Sequence, residues 1–265
     1  MRIFSCFTLL LLMISCGRKQ YAVKQEGDTM LRIMSYNIHH ANPPSRPGII
    51  DIDTIAAVIN QQQPDVVFLQ EVDVHTRRSK VNEAALLAEK TGMQVYFGKA
   101  IDYEGGAYGV AILSRFRLTN GKTRQLPTAA GTGGEPRVLA TAQIEVNGKK
   151  LILASTHLDA QRSDTNRLLQ VKALVALLQE EVHPVLLGGD LNAVPGRNVI
   201  NILDQHFTRT CYEGCGHTIP VHQPDKTIDF ITYKPAGSFR VLSHKVIEEK
   251  YASDHLPVVA ALQIK

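Results

Sequence analysis

Five places in this chain join an apolar, strand-like run to side chains that can hold a metal ion or move a proton. In chain order they are Ser35-Tyr36-Asn37-Ile38-His39, Leu69-Gln70-Glu71-Val72, Thr156-His157-Leu158-Asp159, Gly188-Gly189-Asp190-Leu191-Asn192 and Ser253-Asp254-His255-Leu256-Pro257. The last opens an apolar run rather than closing one, so it hands a strand's first residues to whatever the other four hand their last. A lone Asp-His pair is most often a surface pair. Its weight here comes from the four earlier endings, which demand a fold that brings several strand ends to one edge.

Between these points the chain alternates short strands with a few helices. Strands are expected over 31–37, 66–69, 93–97, 108–113, 117–125, 138–146, 150–155, 185–187, 227–233, 239–246 and 257–264, from apolar runs bounded by Gly, Pro and Asn turns. Asn147-Gly148 marks a hairpin between two of them. Helical spacing of apolar residues predicts a helix capped by Asp53-Thr54 and running to Gln63, a second over 81–90 ending near Gly92, and a long one over 165–181. No repeat, low-complexity tract or composition shift marks an internal boundary. One α/β domain with sheets packed face to face is the expectation.

At 265 residues, 44% hydrophobic and 20% charged, the chain can bury a substantial core. Its formal charge of +4 permits a polyanionic substrate without arguing for one, because the Lys and Arg residues are scattered. The first residues read as a targeting segment: Arg2, an apolar stretch over 3–14, then Ser15-Cys16-Gly17. That stretch is too short to span a membrane and reads as a secretory signal. Met13-Ile14-Ser15-Cys16 resembles a bacterial lipobox, except that Met stands where Leu is usual. The expectation is therefore a signal peptide over 1–16, a polar tether over 17–30, a catalytic domain over 31–265, and an exported lipoprotein held on a membrane by a lipidated Cys16. The mature domain keeps Cys211 and Cys215 in a Gly-rich loop. A local disulfide or free thiols are favoured there. Zinc, with His206, His217 or His222 added, is the rival, but no second Cys pair completes a ligand set.

Taken together, Tyr36-Asn37, Gln70-Glu71, Thr156-His157, Gly189-Asp190-Leu191-Asn192, Ile228-Asp229-Phe230 and Ser253-Asp254-His255 resemble, in order, the motifs of the endonuclease/exonuclease/phosphatase superfamily. That superfamily includes pancreatic deoxyribonuclease, abasic-site endonucleases, neutral sphingomyelinases and inositol-polyphosphate 5-phosphatases. The resemblance runs from Leu31 to the end of the chain. It implies a four-layer α/β/β/α sandwich, two mostly antiparallel sheets flanked by helices, with a site at one edge of both.

The resemblance also implies roles. Glu71 would be the principal metal ligand, with Asp254 on the metal side. Asn37 can offer an oxygen to the metal or an amide to the phosphate. Hard oxygen ligands select Mg²⁺ or Mn²⁺ over zinc. Asp190 and Asn192 would orient or deprotonate the attacking water and hold the phosphoryl group; their alternate spacing on an extended segment would aim both at one point. His255 would contact the scissile phosphate, oriented by Asp229, and His157 would stabilise the phosphoryl oxygens or act as an acid. Abasic-site enzymes carry an aspartate two residues after the first-motif asparagine. Here His39 and then His40 stand at that point, so a metal arrangement using that aspartate is not expected. Arg78 and Arg137 are candidate phosphate clamps, since guanidinium matches phosphate geometry; a solvated surface arginine is the equal alternative for each.

Three functions compete on these grounds. A Mg²⁺-dependent phosphoesterase acting on a lipid head group or small phosphate ester leads. An extracellular nuclease would want a basic stripe or an aromatic stacking platform, and the chain has no Trp. A silent binding lipoprotein should have lost at least one of the motif residues, and all are present. The expected substrate-facing loops are 41–50, 74–82, 102–107, 127–135 and 211–225. No protein partner is implied.

Overall fold

Val66-Val67-Phe68-Leu69 is apolar on both faces, which suits a strand covered on both sides. The computed structural model, which describes residues 29–265, covers both. Val66 and Phe68 face a second sheet, packing with Leu153 and Leu186; Val67 and Leu69 face two helices, packing with Ile55, Ile59 and Leu87. The expected signal peptide (1–16) and most of the tether (17–30) lie outside the described residues. No described helix is long and apolar enough to cross a membrane.

In chain order the elements are β1 (Met30–Asn37), α1 (Ile52–Gln62), β2 (Val66–Val74), α2 (Glu83–Thr91), β3 (Gln94–Tyr103), β4 (Gly106–Ser114), β5 (Thr119–Leu126), β6 (Arg137–Val146) and β7 (Lys149–His157). There follow α3 (Thr165–Gln179), β8 (Val185–Asp190), α4 (Asn198–Asp204), β9 (Thr208–Arg209), β10 (Asp229–Lys234), β11 (Phe239–Val246) and β12 (Val258–Ile264). They form two six-stranded sheets, ordered β11-β12-β1-β2-β4-β3 and β5-β6-β7-β8-β10-β9. Each sheet has one parallel pair, β1 with β2 and β7 with β8, and is otherwise antiparallel. Helices α1 and α2 cover the outer face of the first sheet, and α3 and α4 that of the second. This is the four-layer sandwich expected from the motifs.

The pairing explains why the motif residues meet. Parallel strands end side by side, so Asn37 lies opposite Gln70 in one sheet and His157 opposite Asp190 in the other. Antiparallel neighbours begin where those strands end: Asp229, the first residue of β10, is paired with Asp190, and β12 starts opposite Ser35. All the chemistry-bearing ends therefore share one edge, the carboxyl end of the parallel pairs. The sheets approach closely near that edge, where a Cβ on Gly188 would overlap the Phe68 ring.

Local details depart from expectation in instructive ways. Asp51, not Asp53-Thr54, caps α1; its carboxylate accepts from the Thr54 N–H at 3.0 Å and from the Thr54 hydroxyl at 2.9 Å. Residue Met30, assigned to the tether, already belongs to β1 and pairs with Gln263. Strand β2 runs five residues past Leu69, and α4 and the two-residue β9 carry too little periodicity to be read from sequence. Asn147 and Gly148 turn the β6–β7 hairpin with φ of 49° and 78°. Cys211 and Cys215 form a disulfide across a Cα–Cα distance of 5.6 Å, which removes the thiolates a zinc site there would need.

Candidate active site

Glu71 reaches the shared edge through a bulge. Leu69 pairs with Ala111 and Val72 with Gly109, so Gln70 and Glu71 together face one partner residue. Glu71 takes the left-handed conformation, φ 57°. A bulge re-aims a side chain in this way: Gln70 is fully buried, whereas the Glu71 side chain keeps 22% of its surface exposed. Asn37 holds it from below, its Nδ2 donating to Glu71 Oε1 and to Asp190 Oδ2, each at 3.1 Å. The orientation of that amide is fixed, because its Oδ1 accepts from the backbone N–H of His39 at 3.1 Å and an N–H can only donate. Asn37 thus turns its oxygen away from the carboxylates and bridges them with its nitrogen. The His40 Nδ1 lies 3.7 Å from Glu71 Oε2. Burial acts to raise the Glu71 pKa, but nearby His40, the Asn37 amide and the charge of His255 outweigh it and hold the carboxyl far below the usual range.

The second sheet supplies a chain of buried groups. His255 Nδ1 bonds Asp229 Oδ2 at 2.9 Å, and its Nε2 lies 3.7 Å from Asp190 Oδ2. Ser253 pins this segment to β1, donating to the Asn37 carbonyl at 2.7 Å and accepting from the His255 N–H at 3.2 Å. Burial works to depress the His255 pKa, but Asp229 and then Asp190 overcome it and lift the imidazole to about 10. Asp190 moves the other way for a carboxyl: burial, then the Asp229 charge, push it up against the pull of His255. His255 is therefore a fixed imidazolium and Asp190 an unusually basic carboxylate. The two are joined to each other and to Asp229, and one atom from each of the three lies within 4.8 Å of the others.

His157 is the neutral member. Arg137 approaches its Nδ1 at 3.0 Å and can only donate, so Nδ1 is the acceptor and the proton sits on Nε2, 3.4 Å from Asp190 Oδ2. Burial and the Arg137 charge keep its pKa well below the ordinary value. Asn192 closes the group from a left-handed turn, φ 48°. Its N–H donates to Asp190 Oδ1 at 2.9 Å and its Nδ2 to the Leu158 carbonyl at 3.0 Å; the same Nδ2 lies 3.1 Å from His157 Nε2, two donors side by side that share no hydrogen bond. The expected alternation of an extended Asp-x-Asn segment is not what joins them: β8 ends at Asp190, and the turn brings Asn192 back.

The two arginines are already engaged. Arg137 also pairs with Glu135 at 2.9 Å. Arg78 clamps buried Asp73 through two hydrogen bonds, 2.6 and 3.0 Å, and lies over the Tyr103 and Tyr108 rings. Arg78 is thus held on Asp73 and the two tyrosine rings. Asp254 is partly buried, with its Oδ1 3.5 Å from the Ser253 hydroxyl, and its charge acts on both Tyr36 and His255.

Three further residues belong to the site that sequence reading left out. His40 sits on Glu71 from a run of three left-handed residues, His39, His40 and Ala41. Tyr108 lies near enough to Glu71, Arg137 and Glu135 for their charges to act on its hydroxyl; inside an apolar strand it reads as core. Ser253 stands within the last motif but has no role of its own in the sequence reading. Only the His39-His40 pair, directly after the first motif, offered a signal.

Likeness to known proteins agrees with this geometry. The most similar structures include an endonuclease/exonuclease/phosphatase from Beutenbergia cavernae, 28% identical with TM-score 0.76, covering 89% of this chain and 72% of that one. A mannosyl-6-phosphatase from Bacteroides thetaiotaomicron superposes with TM-score 0.71 at 18% identity, over 88% of this chain and 99% of that one. The human nocturnin catalytic domain does so with TM-score 0.65 at 23% identity, over 90% and 96%. The profile of the Endonuclease/Exonuclease/phosphatase family matches residues 34–255, a span that begins in β1 and closes on His255, and the chain belongs to that family.

Proposed function

We propose that the chain hydrolyses a small phosphate ester, monoester or diester, with a divalent cation, Mg²⁺ or Mn²⁺. The observation that carries this reading is the meeting at one edge of an ionised, part-exposed Glu71 with the buried Asp190–His255–Asp229 chain.

The residues fit a hard cation. Mg²⁺ keeps several waters and takes only one or two carboxylates; Glu71 supplies one and Asp254 is the candidate second. The cluster of Asp190, Asp229 and His255 suits it less, because Asp229 and His255 already engage each other at 2.9 Å. When bound, a divalent cation neutralises phosphoryl charge and acidifies a coordinated water. The chain's own groups divide the rest. Asp190, its affinity for protons raised by burial, takes the proton of the attacking water. His157 offers its Nε2–H to a phosphoryl oxygen as a neutral donor. His255, held as imidazolium by Asp229, donates to the phosphoryl group or the departing oxygen. The name of the Bacteroides neighbour, a mannosyl-6-phosphatase, supports phosphate-ester chemistry on this fold.

The leader supports an exported, lipid-tethered protein, through the apolar stretch ending in Ser15-Cys16-Gly17. A substrate at or near a membrane surface, a lipid head group or scavenged ester, suits that placement better than duplex DNA. The test is a screen with Mg²⁺ against aryl phosphates, sugar phosphates, phospholipids and plasmid. Turnover of a small ester that stops with chelator and returns with metal is expected. Full activity in excess chelator, or plasmid nicking with no other turnover, would overturn the reading.

A further inference from the structure

The Asp229–His255 bond crosses from one sheet to the other. Asp229 opens β10 in the second sheet, His255 leads into β12 in the first, and the two strands share no ladder. A 2.9 Å contact between side chains of separate sheets follows every small slide of one layer over the other unless the backbones on both sides are tied together. Ser253 does not supply that tie, because it binds β1, in the same sheet as β12.

Thr218 does. It lies in the loop over 211–225 that was expected to face substrate, yet it is fully buried. Its carbonyl accepts from the N–H of Leu256, the residue after His255, at 2.8 Å. Its hydroxyl oxygen accepts from the N–H of Ile228, the residue before Asp229, at 3.2 Å. One residue therefore grips the chain beside each member of the pair. The Ile228 carbonyl extends the connection, accepting from the N–H of Leu191, next to Asp190, at 2.9 Å. On the other side of His255, the Val221 N–H donates to the Asp254 carbonyl at 3.0 Å.

Thr218 is itself held in place. Its N–H donates to the Lys226 carbonyl at 2.7 Å, and Ile219 and Lys226 exchange N–H to carbonyl bonds at 3.1 and 3.0 Å in a short antiparallel bridge. Just upstream, the Cys211–Cys215 disulfide closes its loop and the Gly216 carbonyl accepts from the Thr227 hydroxyl at 2.7 Å. Valine in place of Thr218 would keep the branched outline but leave the buried Ile228 N–H without an acceptor, which costs more than a bond never made.

We propose that Thr218 is a positioning residue: through Ile228 its hydroxyl holds Asp229 against His255 across the sheet interface and so aims the imidazole at Asp190. It acts through the pair and not on the substrate. What the pair does in catalysis rests on the hydrolytic reading above, whereas the positioning is a property of the free protein.

The experiment reads both on the full chain. Proton NMR of the wild type should show the His255 Nδ1–H, bonded to Asp229, downfield of the amide region, and His255→Ala, which must lose the signal, assigns it. Thr218→Val should lose it or move it back toward the amides, and Thr218→Ser, which keeps the acceptor, should retain it. Thr210→Val is the control, because it removes a buried 3.1 Å bond to the Ile231 carbonyl of β10 without touching Ile228, and it should leave the signal in place. With p-nitrophenyl phosphate, its methyl diester and Mg²⁺, Thr218→Val should lower kcat about tenfold to a hundredfold, the cost of a misplacement of roughly 1 Å. KM should stay near the wild-type value, and Thr218→Ser should recover most of the rate. If Thr218→Val does not fold, Thr218→Ala is read against Thr218→Ser in the same way. A signal absent from the wild type, unmoved by loss of the Thr218 hydroxyl, or lost equally in Thr210→Val would overturn the proposal. If neither ester is turned over but the signal follows the Thr218 hydroxyl, the positioning stands and the hydrolytic reading falls.

Discussion

Glu71 and Asp190 are carboxylates from matching positions, each near the end of a parallel strand, yet their surroundings make them opposites. Glu71 is lifted out by a bulge, stays part-exposed, and receives a hydrogen bond from Asn37, with His40 3.7 Å away; both favour its charge. Asp190 is buried beside Asp229, which disfavours its charge. In the reaction proposed above, the first would attract the cation and the second would exchange the proton. One amide, Asn37 Nδ2, touches both and fixes their separation. The comparison teaches that a carboxylate's role is set by burial and neighbours rather than by residue type or motif.

The largest effect should come from the proton-carrying half. His255→Ala and Asp190→Asn should each cost ~10²–10⁴ in kcat, the usual worth of a positioned acid or base. Circular dichroism should show the folded domain unchanged, and near-wild-type turnover in both would dissolve the distinction between the halves.

Asp229→Asn sharpens it. Asp229 is the strongest influence raising His255, so its removal lets burial pull the imidazole pKa down from about 10. If His255 acts as the cation, the basic limb of the kcat/KM profile moves to lower pH; a limb that stays in place would show that His255 is not the group that titrates.

The smallest effect lies behind Glu71's strand and concerns stability. Glu83 is fully buried, accepts from the Asp73 N–H at 2.9 Å, and is raised from 4.5 to about 8 by burial, against the favourable bond from that N–H. A carboxyl with a raised folded pKa contributes stability that is complete below about 4.5 and lost as pH rises toward about 8. Glu83→Gln should therefore flatten stability across that window and raise it at pH 8 by on the order of 1–3 kcal/mol. Urea unfolding at two pH values checks this; an unchanged pH slope would mean that Glu83 is ionised in the fold.

Much of this was legible because strand ends and their polar residues are local in sequence. The five polar stretches, the Asn-Gly hairpin and the order of motifs are each short and local, and the sandwich was implied by the family those motifs resemble. What was not legible depends on partners far along the chain or on backbone handedness. Arg78 reads as a free clamp until Asp73 is seen to hold it. Tyr108 reads as core until β2 and β4 are paired. Asn192 converges on Asp190 through a left-handed turn that an alternating pattern does not announce, and Glu71 through a bulge that interrupts the run. His40 stood beside the first motif, but its contact with Glu71 needed three successive left-handed residues that no propensity suggests.

The division of labour can be read most directly by titrating Mn²⁺ into the wild type, Glu71→Gln and His255→Ala, with affinity and kcat measured on the same samples. Glu71→Gln should weaken Mn²⁺ binding at least about tenfold, since even a lost outer-shell partner of a metal ligand costs roughly 10–100-fold, and recover part of its activity at high metal. His255→Ala should bind Mn²⁺ as the wild type does and remain slow at every concentration. The reverse result, metal binding lost with His255 and kept without Glu71, would place the ion in the Asp190–Asp229–His255 cluster and contradict the account.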